Sequence, residues 1–291
     1  MTLLDALDVF YGEQEYKGNS SATVKHYRDI FAHFMRDTGT TTLEGFSERT
    51  ISTWLIAHRH QSQNTLRTYD RGLRVLSNWL HRRGYLSQHV MATLPRPRAK
   101  PKAITVFTVS DVRAMLDAAK ASRNPLREQA LIALLLDTGS RIGEAMTVTL
   151  RTIRWQEDSI LLDGKTGERT VPMGRKCKQA LKRYIDRERT AHSTAIQNIF
   201  LNRFGHPLPS TAATQQLGLI AKRAGVEASK LGPHTFRHTF AVSFIRAGGD
   251  AFTLQRILGH TTLEMTRRYV HLADSDLREA HRKFAPGDKM L

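Results

Sequence analysis

Apolar residues recur at helical spacing through most of this chain and alternate as strands do in one short stretch. Ser20 or Ser21 can cap a helix in which Val24, Tyr27, Ile30, Phe31, Phe34 and Met35 form one stripe, ending near Thr38-Gly39. Ser47 opens a second helix with Ile51, Trp54, Leu55 and Ile56. A third runs from about Asn64 to Arg83 on Leu66, Leu73, Leu76, Trp79 and Leu80, stopped by Gly84. Nothing in this segment alternates, so its pattern predicts a helical bundle.

Further on, Thr108-Val109-Ser110-Asp111 caps a helix to about Ala121, and the apolar run Leu126 to Asp137 predicts a fully buried helix. The pattern then changes period. Residues 152–155, 159–162 and 168–172 alternate and are rich in β-branched side chains, with Asp163-Gly164-Lys165-Thr166-Gly167 as a hairpin turn. Helices are expected from about Arg175 to Ala191 and Thr211 to Ala224, with Asn198 to Leu201 as a short strand between them. Gly232-Pro233 precedes a helix through Phe236, Phe240, Val242 and Ile245. Asp250 caps another to Leu258, Gly259 ends it, and Thr262 to Tyr269 and Asp274 to Phe284 complete the helices. The fold class read from this pattern is mainly α with a small antiparallel β-sheet, the second part being α+β.

Leu94 to Lys102 divides the chain. Three prolines in seven residues forbid a helix there, and Arg96, Arg98, Lys100 and Lys102 repel one another while suiting a phosphate backbone. The expected organisation is a helical domain over residues 1–93, a basic linker over 94–106 and a second domain over 107–291.

Charge narrows the partners. Lys and Arg number 44 against 27 acids, a formal net charge of +17, which points to a polyanion. The excess is concentrated beyond Arg98, where 31 cations face 18 acids. No apolar run approaches membrane-spanning length, and the acidic start M-T-L-L-D-A-L-D lacks the basic region of a secretory signal. The lone Cys177 excludes an internal disulfide and a cysteine-based zinc site. A cytoplasmic, nucleic-acid-facing protein is expected. Arg67, Arg71, Arg74, Arg82 and Arg83 would give the third helix a basic face, and with the linker cations they are candidate DNA contacts.

Candidate chemistry gathers around Leu231 to Tyr269. His234 falls in the first turn of its helix and Arg237 at i+3 on the same side, where free N–H groups and the helix dipole favour an anion. An imidazole, a guanidinium and a positive helix end describe a phosphate pocket. Tyr269, beside it, is a candidate nucleophile, although a tyrosine at the end of an amphipathic helix is most often a core residue. Arg141 is delivered at a helix start by the glycine-rich T-G-S-R-I-G-E; alone, such an arginine most often pairs with a neighbour, here Glu144. His234, His238 and His260 could be read as a zinc site, but Thr235 stands where H-E-x-x-H has its glutamate and Arg237 lies between the histidines.

Arg141 in T-G-x-R-I-G-E, Lys165 on a hairpin, H-T-F-R-H from His234, L-G-H at His260 and a tyrosine nine residues beyond occur in one order. That set resembles the tyrosine recombinase (phage integrase) family from about Phe107 to His271, and the upstream helices are similar to the family's core-binding domain. The resemblance implies that Arg141, Lys165, His234, Arg237, His260 and Tyr269 are catalytic, with no cofactor and no metal. Arg141 and Arg237 would hold the nonbridging oxygens of a DNA phosphate while Tyr269 attacks to form a 3′-phosphotyrosine. His234 is expected as general base, Lys165 as general acid on the leaving 5′-oxygen, and His260 as a phosphate hydrogen-bonder. The G-K-T-G-E-R hairpin is shorter than the commoner G-K-G-x-x-x-R form.

The implied activity is ATP-independent site-specific recombination through a Holliday junction, serving integration, excision or resolution. A simple Xer-like or transposon-type member would work as a homotetramer on two duplexes, with room for a free monomer and for a partner recombinase or accessory protein. The helix from Asp274 is the candidate for exchange between neighbours. A type IB topoisomerase or telomere resolvase would use the same transesterification, and a noncatalytic DNA-binding regulator would use the same charge.

Overall fold

A computed structural model describes residues 2–98, 104–164, 167–273 and 285. Lys100, Lys102 and Lys165, and the helix expected over 274–284, lie outside the described residues. The chain divides into two compact units, Met1–Lys102 and Ala103–Leu291, and the division falls within the proline-rich segment.

The first unit is helical: α1 (Leu3–Tyr16), α2 (Ser21–Thr38), α3 (Glu48–Ala57) and α4 (Gln63–Arg82). Ser20, Ser47 and Ser62 each accept the backbone N–H three residues on, and Gly39, at φ 67°, closes α2. The hydrophobic pattern predicts α2, α3 and α4 within a residue or two. It did not predict α1, whose Thr2 and Asp5 form a reciprocal capping box. The helix contributes Leu3, Leu7 and Phe10 to a core shared with Phe31, Phe34, Trp54, Leu73 and Leu80.

In the second unit, α5 (Val109–Lys120) and α6 (Pro125–Thr138) precede the short α7 (Ile142–Thr147). Strands β1 (Ile153–Arg154), β2 (Ser159–Gly164) and β3 (Gly167–Pro172) form an antiparallel sheet in the order β1-β2-β3. Gly164 pairs with Gly167 at the hairpin end. Then come α8 (Arg175–Arg187), α9 (Ser210–Arg223), α10 (His234–Arg246), α11 (Ala251–Leu258) and α12 (Leu263–Ala273).

The strand expected at 198–201 is absent among the described residues. Isolated bridges pair Thr149 with Asn198 and Leu201 with Pro207 instead. Ile199 and Phe200 are apolar because this loop runs through the core, fully buried beside Leu181 and Tyr184. The central helix α6 is buried through Leu131, Ile132, Leu134 and Leu135, which gives the residues after it a rigid support. No described helix is long and apolar enough to cross a membrane.

Candidate active site

The turn after α6 depends on Gly139. Its φ of 59° is left-handed, and an added Cβ would lie 2.5 Å from Phe240 Cδ1 and 2.8 Å from Leu258 Cδ2. This tight passage brings Arg141 to the N-cap of α7. The Arg141 backbone N–H donates to Glu144 Oε2 at 2.9 Å, and its Nη1 donates to Oε1 at 2.8 Å. The same carboxylate receives Arg169 of β3, through Nη2 at 2.7 Å and Nη1 at 3.2 Å, while Arg169 Nε donates to the Ile257 carbonyl. Burial would raise the Glu144 pKa, but hydrogen bonds from Arg169 and Arg141 outweigh it and hold the carboxyl at about 2. Gly164 at the hairpin end passes so close that a Cβ there would lie 2.6 Å from Glu144 Oε1.

Arg237 is 4 % exposed. Its Nη1 donates to the Gly139 carbonyl at 2.9 Å and its Nη2 to the Leu258 carbonyl at 2.8 Å. These are orphan carbonyls at the C-terminal ends of α6 and α11, where helix dipoles favour a cation. The guanidinium is thereby anchored on carbonyls, with no ion pair among the described residues, and it feels the charges of Arg141, Glu144 and Arg169.

Tyr269 on α12 is nearly buried and packs with Leu254, Leu258, Ala241 and Val242. Its ring lies parallel to that of His260, with 6.2 Å between centroids, and its hydroxyl is 2.9 Å from His238 Nδ1. Burial first, and then His234, Arg268 and Arg237, press the His238 pKa down to about 4. The imidazole is therefore neutral at pH 7, and the tautomer with its proton on Nε2 accepts the phenolic hydrogen. Burial pushes the Tyr269 phenol above its usual range, while Arg237, Arg268 and Arg141 pull the other way.

His260 is also held near 4, by burial first and then by Arg237, Arg141 and Arg169. Its Nδ1 bonds Thr266 Oγ1 at 2.8 Å, which fixes the ring against Tyr269. His234 begins α10 as expected, and partial desolvation, Arg237 and Arg141 lower its pKa.

Arg141, His234, Arg237, His260 and Tyr269 are thus brought together by α7, α10, α12 and the turn after α11. The spacing did not single out three further members. His238, weighed in the sequence as a zinc ligand, bonds the tyrosine hydroxyl. Arg169 completes the Glu144 hub, and Thr266 orients His260. The H-T-F-R-H motif could have signalled His238, because i and i+4 share a helix face. For Arg169 the chain offered only strand alternation.

In the first unit, Arg67, Arg71, Arg74 and Arg96 line one cavity of about 520 Å³. Arg67, Arg71, Arg96 and Arg98 are exposed. Arg74 is not the free surface cation expected. Its Nε donates to both Asp70 oxygens at 3.0 and 3.1 Å, and its terminal nitrogens bind the carbonyls of Met91 and Leu94. It ties the start of the proline-rich segment to α4.

The Phage integrase family matches residues 105–276. Tyrosine recombinase XerC of Oceanobacillus iheyensis is 30 % identical over 96 % of this chain and 95 % of its own length. XerC of Anoxybacillus flavithermus is 32 % identical over 91 % of each chain. Among solved structures, the Tn1549 transposon integrase in complex with transposon right end DNA is similar at a TM-score of 0.78 with 19 % identity, covering 95 % of this chain and 97 % of that one. A lambda integrase dimer bound to a COC′ core site gives 0.76 with 18 % identity, covering 91 % and 97 %. These matches favour recombination over the topoisomerase, telomere-resolvase and regulator alternatives. With its guanidinium cluster, neutral histidines and poised tyrosine, the chain belongs to the phage integrase family and is a site-specific tyrosine recombinase.

Proposed function

We propose that the chain binds double-stranded DNA sites and exchanges strands between them by the attack of Tyr269 Oη on a backbone phosphorus. The P–O bond to Tyr269 forms as the bond to the 5′-oxygen breaks, leaving a 3′-phosphotyrosine and a free 5′-hydroxyl. The phenolic proton passes to His238 Nδ1 rather than to His234, the base expected from the sequence, an assignment supported by the 2.9 Å hydrogen bond between His238 and the phenol. Arg141 and Arg237 take the nonbridging oxygens, where two guanidiniums match the charge that builds on a pentacoordinate phosphorus. His234 and His260, both with lowered pKa values, act as neutral hydrogen-bond partners of the phosphate. Lys165 protonates the leaving 5′-oxygen; the approach of Gly164 to Glu144 supports this role, since the hairpin carrying Lys165 begins there.

The reverse reaction with a different 5′-hydroxyl reseals the strand. Because the phosphotyrosine conserves the bond energy, no ATP is consumed. Two pairs of such exchanges, in a tetramer on two duplexes and through a Holliday junction, complete recombination for integration, excision or resolution in the cytoplasm. The first unit clamps the duplex with Arg67, Arg71, Arg96 and Arg98 and with Lys100 and Lys102 of the linker.

One observation carries this reading. Arg141 and Arg169 share the Glu144 carboxylate, and a third guanidinium, Arg237, lies close enough to feel its charge beside a hydrogen-bonded tyrosine hydroxyl, so the site holds a positive excess that a phosphate would balance. A DNA duplex nicked just 3′ of the cut, so that cleavage releases the short fragment bearing the 5′-hydroxyl, tests it. The wild-type chain should become covalently attached to DNA in a denaturing gel, and Tyr269→Phe should leave no adduct. An adduct that persists in Tyr269→Phe would assign the nucleophile elsewhere.

A further inference from the structure

Far along the sequence from the catalytic residues, α2 and the end of α3 bring two imidazoles and a carboxylate to one point. His33 and Asp37 stand at i and i+4 on α2, and His58 caps the C-terminus of α3. Asp37 Oδ2 lies 3.5 Å from His33 Nε2 and 3.3 Å from His58 Nε2, and the three ligand atoms are all within 4.8 Å of one another. Ligands on a tetrahedral ion with bonds of about 2.0–2.1 Å stand about 3.3 Å apart, so two of these separations already have the required length.

Proton accounting sharpens the point. His58 Nδ1 is 2.9 Å from the Trp54 carbonyl, which can only accept, so Nδ1 carries the hydrogen. With Nδ1 so engaged, His58 turns Nε2 towards Asp37 Oδ2, and their 3.3 Å separation is that of two ligands on one ion. The Nδ1–H bond to a carbonyl is also the support that ligating histidines usually have, since it fixes both ring and tautomer. Asp37 is oriented too, by Trp54 Nε1 at 2.9 Å. Trp54 and Tyr69 pack around the imidazoles, with ring centroids 4.5 Å apart for Trp54–His58 and 5.5 Å for His33–Tyr69.

We propose that His33, Asp37 and His58 form a structural site for a borderline divalent metal, zinc or a similar ion, with water as the fourth ligand. Two imidazoles and one carboxylate suit zinc, cobalt and nickel better than calcium or magnesium. The ion clips the C-terminal half of α2 to the end of α3. Arg36 now sits at the rim, with Nε 3.4 Å from Asp37 Oδ1 and Nη2 against His33 Nδ1. Its side chain is 71 % exposed, so it turns into solvent as the ion enters and His33 moves its proton to Nδ1.

The test uses the untagged full-length chain stripped with a chelator. Zinc titrated by calorimetry should bind at one site per chain, and cobalt should give the visible absorption of a tetrahedral site. Zinc at ten times its dissociation constant should raise the melting midpoint by on the order of 5 °C. Asp37→Asn, which keeps an acceptor for Trp54, and His58→Gln should each weaken binding at least about tenfold. His192→Gln, at the unrelated His192–His206 ring pair, should leave binding unchanged. Melting of each variant in chelator separates loss of the site from loss of the fold. Anomalous scattering at the zinc edge from wild-type crystals locates the ion without any variant. No zinc uptake, uptake indifferent to Asp37→Asn and His58→Gln, or an anomalous peak away from these three residues would overturn the proposal.

Discussion

Arg74 in the first unit and Arg237 in the second both sink a guanidinium into protein, and both bind two backbone carbonyls. They differ in what faces the remaining charge. Arg74 is paired with Asp70, so its charge is compensated before any ligand arrives. Among the described residues Arg237 makes no ion pair, and Glu144, whose charge it feels, is already shared by Arg141 and Arg169. A buried cation whose charge is left uncompensated raises the energy of the free protein. Such an arrangement suits an anion that completes it, in line with the phosphate role proposed for Arg237.

The strongest way to break this contrast is to keep the charge at 237 and remove its geometry. Arg237→Lys should cut covalent adduct formation by about 10²–10³-fold, because one ammonium cannot hold two helix-end carbonyls and phosphate oxygens together. An adduct rate within a few fold of wild type would mean that net charge suffices. His238→Ala should follow, with a loss of about 10²-fold in single-turnover cleavage that alkaline pH partly restores, since hydroxide replaces the missing acceptor. A loss insensitive to pH would reduce His238 to a packing role.

Glu144→Gln sharpens the contrast from the acid side. A carboxyl held at about 2, against an ordinary 4.5, contributes stability present above its unfolded pKa and lost as pH falls through the folded one. That amounts to about 3 kcal/mol at neutral pH. Denaturant unfolding of the wild type should therefore weaken between about pH 5 and 2, and Glu144→Gln should start less stable and lose less across that window. Parallel pH profiles would remove Glu144 as the hub. The smallest effect compares neighbours on α4. Arg71→Ala should leave stability within about 0.5 kcal/mol and lower the salt dependence of DNA binding by about one phosphate contact. Arg74→Ala should cost about 3 kcal/mol or more by stranding buried Asp70. If the two variants exchanged phenotypes, the division of labour on this helix would be reversed.

How much of this was legible in the chain follows from how local each determinant is. Serines at 20, 47 and 62 and the glycine at 39 act within one helical turn, so α2, α3 and α4 could be drawn from spacing alone. The helix α1 was equally local, and its Thr2–Asp5 box stood in a stretch read only for what it was not. Residues 198–201 misled because an apolar run looks the same in a strand and in a loop that crosses the core. The cluster of Arg141, His234, Arg237, His260 and Tyr269 was visible as a set of residue types at turns and helix starts. The Arg169–Glu144 hub and the Arg74 clamp were hidden, since each is fixed by partners many residues away: Ile257 for one, Met91 and Leu94 for the other. Lone periodicity does not encode such pairings.

One guanidinium fastens the last carbonyl of α11 to the turn that follows α6, and these two places lead directly into His260 and Arg141. Loosening either helix end would therefore displace both residues together, so the proposed phosphate site is assembled in one piece with the fold rather than after it.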